Sequence, residues 1–121
     1  MTDTLSLTIP IPPSVNGLYA SLANGKRVKS KAYKQWLDEA GWFVLGQRRG
    51  APTITGPVDI EILIRRPSGN SDVDNRVKAT LDLLVKQHVI SDDRYVHSVT
   101  ARWADIPSCV VTIRKHVEAV A

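Results

Sequence analysis

Alternation of apolar and polar residues predicts the β-strands of this chain. From residue 58 to residue 64 every second residue is Val or Ile, and Pro57 and Pro67 bracket the run. A period of two places these side chains on one buried face of a strand. Residues 5–9 show the same alternation, and residues 96–103 and 109–115 are predicted to form two later strands.

A period of 3.6 residues predicts two helices. Ser30 is a suitable N-cap for the first, which extends for about 16 residues and ends between Gly46 and Gly50. The apolar positions of the second helix begin at Val73 and end at Val85. Strand–helix–strand order in the middle, with strands at both ends, predicts an α/β domain of the mixed α+β type. In it, a mixed sheet of about four strands packs against two main helices.

Size and composition exclude several classes of protein. Residues 1–121 suffice for one small domain but not for a deep cavity, so a catalytic site is expected to be shallow or shared between subunits. No apolar stretch approaches the roughly 18 residues of a membrane span. The opening residues lack the basic run of a signal peptide. The lone cysteine, Cys109, is expected to be a buried strand thiol, and these features predict a cytoplasmic protein.

Charge is unevenly distributed along the chain, whose formal net charge is +4. Residues 4–37 contain no acid, whereas residues 72–93 contain five. Bases bind the phosphate backbone and acids bind the metal that cleaves it, so this pattern is expected of metal-dependent nucleases, although solvated surface charge remains the alternative. The predicted phosphate-binding residues are Lys26, Arg27 and Lys29 in a loop or loose hairpin, Lys31 and Lys34 in the helix that follows, and Arg65, Arg66 and Arg76.

The segment around Asp72 and Asp74 follows a strong strand and opens a helix. On a helix the two side chains point about 200° apart. They converge on one ion only if Asp72 lies in the loop and Asp74 in the first turn. Asp74, Lys78 and Asp82 are four residues apart and form a stripe beside the apolar face. Shielded carboxylates favour Mg²⁺ as their counterion.

Structural roles are the alternative for these acids. Ser71 and Asp74 fit a capping box, Asp72 fits an N-cap, and i,i+4 ion pairs account for Asp74, Lys78 and Asp82. A second acidic pair, Asp92 and Asp93, could be an ordinary turn, and spacing alone does not bring it to Asp72. An EF-hand, a Walker loop and a Cys/His zinc motif are all excluded, and the three histidines show no spacing that indicates a site.

The combined spacing resembles the RusA family of Holliday-junction resolvases. The matching positions are Asp72-Val-Asp74-Asn75, Lys78, Asp82-Leu-Leu and Asp92-Asp93, preceded by Pro12-Pro13-Ser14, Asn16, Tyr19, Ser30 and Tyr33. Two features depart from the family pattern. Five residues separate Arg65-Arg66 from the first aspartate, and Ala20 follows Tyr19 where a basic residue is common. Both departures concern DNA affinity more than metal chemistry.

The resemblance implies a homodimer that binds four-way DNA junctions in a bacterial or phage-infected cell. It would make paired nicks with Mg²⁺ or Mn²⁺ during recombination and repair, with no organic cofactor and no membrane partner. Asp72, Asp74 and Asp93 would be the catalytic metal ligands, and Lys78 the catalytic or phosphate-contacting base. Asn75, Asp82 and Asp92 match with supporting roles. The rival hypotheses are a non-catalytic DNA-binding accessory protein and a phosphotransfer enzyme acting on a small nucleotide.

Overall fold

A four-stranded mixed sheet with two helices on one face forms the molecule in a computed structural model that describes residues 4–118. The elements along the chain are β1 (Thr4–Ile9), β2 (Tyr19–Ser21), β3 (Arg27–Lys29), α1 (Lys31–Arg48), β4 (Val58–Ile64), α2 (Val77–Lys86), β5 (Val96–Trp103) and β6 (Cys109–Lys115). Short 3-10 helices at Val15–Gly17, Val73–Arg76 and Asp93–Tyr95 precede β2, α2 and β5.

The sheet has the order β1-β6-β4-β5. β6 pairs antiparallel with both β1 and β4, whereas β5 runs parallel to β4 because α2 forms the crossover between them. The alternation in β4 buries Val58, Ile60, Ile62 and Ile64 beneath the helices and turns Asp59, Glu61 and Leu63 to the opposite face. The predicted fold class and sheet are therefore confirmed, and β5 is an edge strand.

Helix α1 begins where the capping signal predicts. Ser30 is its N-cap, and the Ser30 hydroxyl oxygen accepts the backbone N–H of Tyr33 at 3.1 Å. The helix ends at Arg48, after which Arg49 and Gly50 both have positive φ. Its buried face packs on the sheet and includes Tyr33, Trp36, Leu37, Ala40 and Val44.

The second predicted helix divides into two parts. Its first turn, Val73–Arg76, is a 3-10 helix, and regular α-helix begins only at Val77. Val73 and Val77 pack against the edge of the core, and Leu83 and Leu84 are fully buried. The change of helix type lies beside the two aspartates at positions 72 and 74, which leaves them outside α2.

Two further expectations can be checked in residues 4–118. Cys109 is fully buried in β6, and burial raises the pKa of its thiol to about 12. No helix in this part of the chain is both long and apolar enough to cross a membrane.

Candidate functional site

An open cleft lies between the β2–β3 hairpin and α2. Its volume is about 360 Å³, and its lining residues are Tyr19, Lys29, Leu37, Lys78, Asp82, Val85, Lys86, Asp92 and Asp93. Three lysines and three aspartates thus share one shallow surface, as expected for a chain too short to enclose a deep pocket. Opposite charges in one cleft suit a ligand that is itself anionic and needs a cation beside it.

Asp82 is fixed on α2 by two partners. Its Oδ2 accepts the hydroxyl of Tyr33 at 2.6 Å, and its Oδ1 lies 3.6 Å from Lys78 Nζ. Tyr33 is fully buried, and this burial together with the Asp82 carboxylate raises the pKa of the phenol. The carboxylate therefore links the core to the cleft, and it also holds Lys78 near the cleft floor.

Replacing Asp82 by Ala is expected to lower the free energy of unfolding by about 1–3 kcal/mol, because the buried Tyr33 hydroxyl loses its acceptor. Urea unfolding without divalent metal measures this change. In a Tyr33→Phe background, which removes the donor as well, the same Asp82→Ala substitution should cost less. Equal costs in the two backgrounds would contradict a stabilising role for this hydrogen bond.

Asp92 and Asp93 form a close acidic pair that also lines the cleft. A side-chain hydrogen bond between them lowers the pKa of Asp92 and raises that of Asp93, whose charge is further disfavoured by the nearby Asp82. Asp92 also caps the 3-10 helix Asp93–Tyr95 by accepting the backbone N–H of Arg94 at 3.4 Å. A cation bound between two neighbouring carboxyl groups would relieve their repulsion, so the pair is a suitable ligand set.

Asp72 and Asp74 occupy the positions that were predicted to let both side chains bind one ion. Asp72 is the N-cap of the 3-10 helix and lies outside it, whereas Asp74 is in its first turn. Both residues are exposed. Within residues 4–118 neither side chain makes a hydrogen bond or an ion pair, and Asp72 makes no capping bond. Ser71 does not form the capping box either, since its hydroxyl pairs with that of Ser68 at 3.1 Å.

The oxygens of the three predicted metal ligands do not form a direct-contact cluster in the described residues 4–118. Asp93 lies in the cleft with Asp82 and Lys78, while Asp72 and Asp74 are not among the residues lining it. Among residues 4–118, they also form no group in which three ligand atoms lie within 4.8 Å of one another. The neighbours that the structure gives to Asp93 are Asp82 and Asp92, which the sequence had marked only as supporting residues.

Exposed bases border the cleft on the hairpin side. Arg27 and Lys29 lie on β3, and Lys26 precedes them in the turn. The Arg27 guanidinium lies 5.2 Å from the centre of the Tyr19 ring, and Lys29 Nζ lies 6.0 Å from that of Tyr33. These cation–π contacts restrict two flexible side chains before any ligand binds. The predicted hairpin is confirmed by the antiparallel pairing of β2 with β3.

Two more of the predicted bases, Lys31 and Lys34, are exposed in the first turn of α1, which contains no acid. A positive charge there opposes the helix dipole at a cost of about 0.3–1 kcal/mol each. The helix itself therefore gains no stability from this placement. A bound anion would remove that repulsion.

The remaining arginines differ from one another. Arg65 and Arg66 are exposed after β4, with the Arg66 guanidinium 5.7 Å from the centre of the Trp103 ring. Arg76 is half-buried and donates from Nη1 to the Pro12 carbonyl oxygen at 2.7 Å. Arg76 thus tethers the proline segment to the 3-10 helix, and its role toward DNA stays a prediction. Asn75 is half-buried in the same 3-10 helix.

Sequence spacing missed a contact between two histidines. The spacing of the histidines indicated no site, but the rings of His97 and His116 stack with centres 3.7 Å apart. Both contact Asp59. Alternation places Asp59 opposite the buried face of β4, but 38 and 57 residues separate it from the two histidines, so no local signal connects the three.

The candidate metal ligands offer only carboxylate oxygens. They are Asp72, Asp74, Asp82, Asp92 and Asp93. This donor set fits Mg²⁺ or Mn²⁺, which prefer oxygen ligands, and it does not select zinc. Mg²⁺ keeps several of its water molecules and binds only one or two carboxylates directly. These aspartates therefore suit Mg²⁺ even if fewer than three of them contact the ion.

Comparison with known proteins adds an independent finding. A family model described as "Endodeoxyribonuclease RusA" matches residues 10–114, which include every predicted metal ligand and phosphate-binding residue. No curated protein matches the chain significantly.

Proposed function

From the premise that this chain belongs to the RusA family of endodeoxyribonucleases, we propose that it resolves four-way DNA junctions by metal-dependent paired nicks. The family implies Holliday-junction resolvase activity on branched DNA. Recombination and repair in the cytoplasm of a bacterial or phage-infected cell would be its setting.

One observation carries the proposal: Lys29, Lys78 and Lys86 share a cleft with Asp82 and the Asp92–Asp93 pair. Phosphodiester cleavage needs positive groups that hold the phosphate and carboxylates that hold a cation beside it. Open, shallow geometry suits a duplex backbone, which cannot enter an enclosed pocket. A small nucleotide would gain little from such a surface, because small-molecule sites bury most of their ligand.

We assign the metal to Asp72, Asp74 and Asp93, with Asp82 and Asp92 supporting. The free carboxylates of Asp72 and Asp74 favour this assignment, since neither has a partner in the described chain. A bound Mg²⁺ would acidify a water molecule and stabilise negative charge on the phosphate. Side chains that share an ion through its water shell need not lie within direct contact of one another.

The protein's own groups would orient the DNA. Lys78, held 3.6 Å from Asp82, is positioned to neutralise charge that develops on the phosphate. Bases of the hairpin and of the first turn of α1 would bind neighbouring phosphates without reading sequence. Arg65 and Arg66 would extend that surface.

Incubation with a synthetic four-way junction tests the proposal. Nicks are expected in symmetric pairs with Mg²⁺, none with EDTA, and far fewer on a linear duplex of the same sequence. Junction binding without Mg²⁺-dependent nicks would instead support the accessory-protein alternative.

The proposal includes a homodimer, because a junction with two-fold symmetry receives two cuts. Three large apolar side chains are exposed on α1: Trp42 at 73%, Phe43 at 51% and Leu45 at 56%. At 100° per residue, Trp42 points away from the buried face and the other two flank it. Trp42 and Leu45 lie on one side of the helix and line the same surface cavity, and exposed apolar groups that lie together mark protein interfaces. A second copy of this chain is the occupant that the paired cuts require.

Replacing Trp42 by Gln is expected to weaken self-association by about 10-fold or more, because a buried aromatic anchor contributes about 2 kcal/mol or more to an interface. Sedimentation velocity over a range of concentrations measures this. Leu22→Gln serves as the matched control, since Leu22 is 46% exposed but lies in the hairpin. A wild-type chain that stays monomeric, or a Trp42 variant that dimerises normally, would contradict this interface.

A further inference from the structure

Asp59, His97 and His116 meet at a point that the DNA cleft does not use. Asp59 is the second residue of β4, His97 the second of β5, and His116 follows the end of β6. Asp59 points away from the helices, whereas the cleft is built on α2 and lies on the helix side. The cluster and the cleft therefore occupy opposite faces of the sheet.

Local strand geometry brings the three together. Val58 pairs with Val96 but Asp59 pairs with Ser98, so His97 is an extra residue in a β-bulge. The bulge lets Ser98 and His97 both reach Asp59 Oδ1, at 2.6 and 3.1 Å. On the other side, the backbone N–H of His116 donates to the Pro57 carbonyl oxygen at 2.9 Å and continues the ladder between β6 and β4.

Both imidazoles present the same nitrogen to one carboxylate. His97 Nδ1 lies 3.1 Å from Asp59 Oδ1, and His116 Nδ1 lies 2.7 Å from Asp59 Oδ2. The three ligand atoms all lie within 4.8 Å of one another. Two imidazole nitrogens on one tetrahedral ion stand roughly 3.3 Å apart, given zinc–nitrogen bonds of about 2.0–2.1 Å. The rings themselves stack with centres 3.7 Å apart, so a change of ring orientation has to direct the two nitrogens at one ion.

The Asp59 carboxylate is able to bind a cation because it is ionised. Hydrogen bonds from Ser98, then from the two histidines, lower the pKa of Asp59 to about 2, so the group is ionised at neutral pH. The His116 side chain is 16% exposed and that of His97 52%, which leaves one side of the cluster open to solvent. Three protein ligands with room for water form an open, four-coordinate site.

We propose that Asp59, His97 and His116 form a second cation site, specific for a first-row transition metal such as Zn²⁺. Two imidazoles and one carboxylate suit Zn²⁺, Co²⁺ or Ni²⁺, whereas Mg²⁺ requires oxygen ligands. The ion joins β4, β5 and the segment after β6, and so it fixes the edge strand β5 to the chain that leaves the sheet. Its expected effect is to stabilise this end of the sheet, and the site does not depend on the nuclease activity proposed above.

Metal binding to the untagged, chelator-treated full chain tests the site without an activity assay. In millimolar Mg²⁺, which would occupy the proposed carboxylate site without competing at this one, calorimetry is expected to give one Zn²⁺ per chain, and Co²⁺ should develop visible absorption bands. Saturating Zn²⁺ should raise Tm by roughly 5 °C or more, because a ligand that binds only the folded state stabilises it. No Zn²⁺ binding by the wild-type chain would overturn the proposal.

Variants locate the site. His97→Ala and Asp59→Asn should each weaken Zn²⁺ binding by about 10-fold or more, and His97 is exposed enough for the variant to fold. His88→Asn is the matched control, because His88 has φ of +57 and Asn tolerates that conformation. Asp74→Asn should also bind Zn²⁺ normally. Loss of binding in His88→Asn or Asp74→Asn, or unchanged binding in both cluster variants, would refute the assignment.

Discussion

Replacing Asp74 by asparagine is expected to reduce Mg²⁺-dependent junction cleavage by about 100-fold or more while junction affinity stays within about 3-fold of wild type. The side chain is exposed and makes no hydrogen bond or ion pair within residues 4–118, so its replacement should not disturb the fold. Its free carboxylate is therefore available for a metal. Single-turnover cleavage and gel-shift binding with the same junction measure the two quantities.

Glu61→Gln is the matched control for Asp74→Asn. It removes one negative charge from the opposite face of the sheet and should leave cleavage within about 2-fold of wild type. Asp93→Asn should resemble Asp74→Asn if Asp93 shares the ion. An active Asp74→Asn enzyme would remove the central claim. A defect in Asp74→Asn but not in Asp93→Asn would restrict the metal ligands to the 3-10 helix.

Replacing Lys26, Arg27 and Lys29 together by alanine is expected to lower junction affinity by roughly 100-fold at about 0.15 M salt. Each phosphate contact contributes about 0.9 to the slope of log affinity against log salt, so the slope should decrease in magnitude by about 2–3. The three residues are exposed on the hairpin beside the acidic cleft. Fluorescence anisotropy across a salt series measures both values.

A control triple variant removes Arg102, Arg114 and Lys115, which are exposed on β5 and β6. It carries the same change in net charge but should retain most of the affinity and the salt slope. Equal losses in the two triple variants would mean that binding follows net charge alone. The hairpin would then have no particular role in gripping the phosphate backbone.

Periodicity sufficed for most of the fold. The strict alternation in β4 and the Ser30 cap of α1 are local signals, and both elements appear where they were predicted. The second helix was predicted less well, because an apolar face that begins at Val73 does not distinguish a 3-10 turn from an α-helix. The spacing of hydrophobic residues predicts which face of a helix is buried, but it does not predict whether the backbone hydrogen bonds are those of a 3-10 helix or of an α-helix.

The sequence identified candidate metal ligands within single segments of the chain. Asp72 and Asp74 were recognised from two-residue spacing, and their loop and first-turn positions agree with that reasoning. The pairing of Asp93 with Asp82 and Asp92 depends on how the end of α2 meets the 3-10 helix before β5. Spacing does not report this, since the intervening turn can place the acids in many ways.

The amino-acid sequence by itself determined the elements, the buried face of each, and the separation of basic and acidic segments, because these follow from interactions among near neighbours in the chain. Only the tertiary structure decided which distant groups meet: Lys29 of the hairpin with Asp82 of α2 and the Asp92–Asp93 pair, and Asp59 with His97 and His116. These long-range contacts depend on the strand order, on the register and on a single bulged residue. These are set by packing of the whole sheet rather than by local preference.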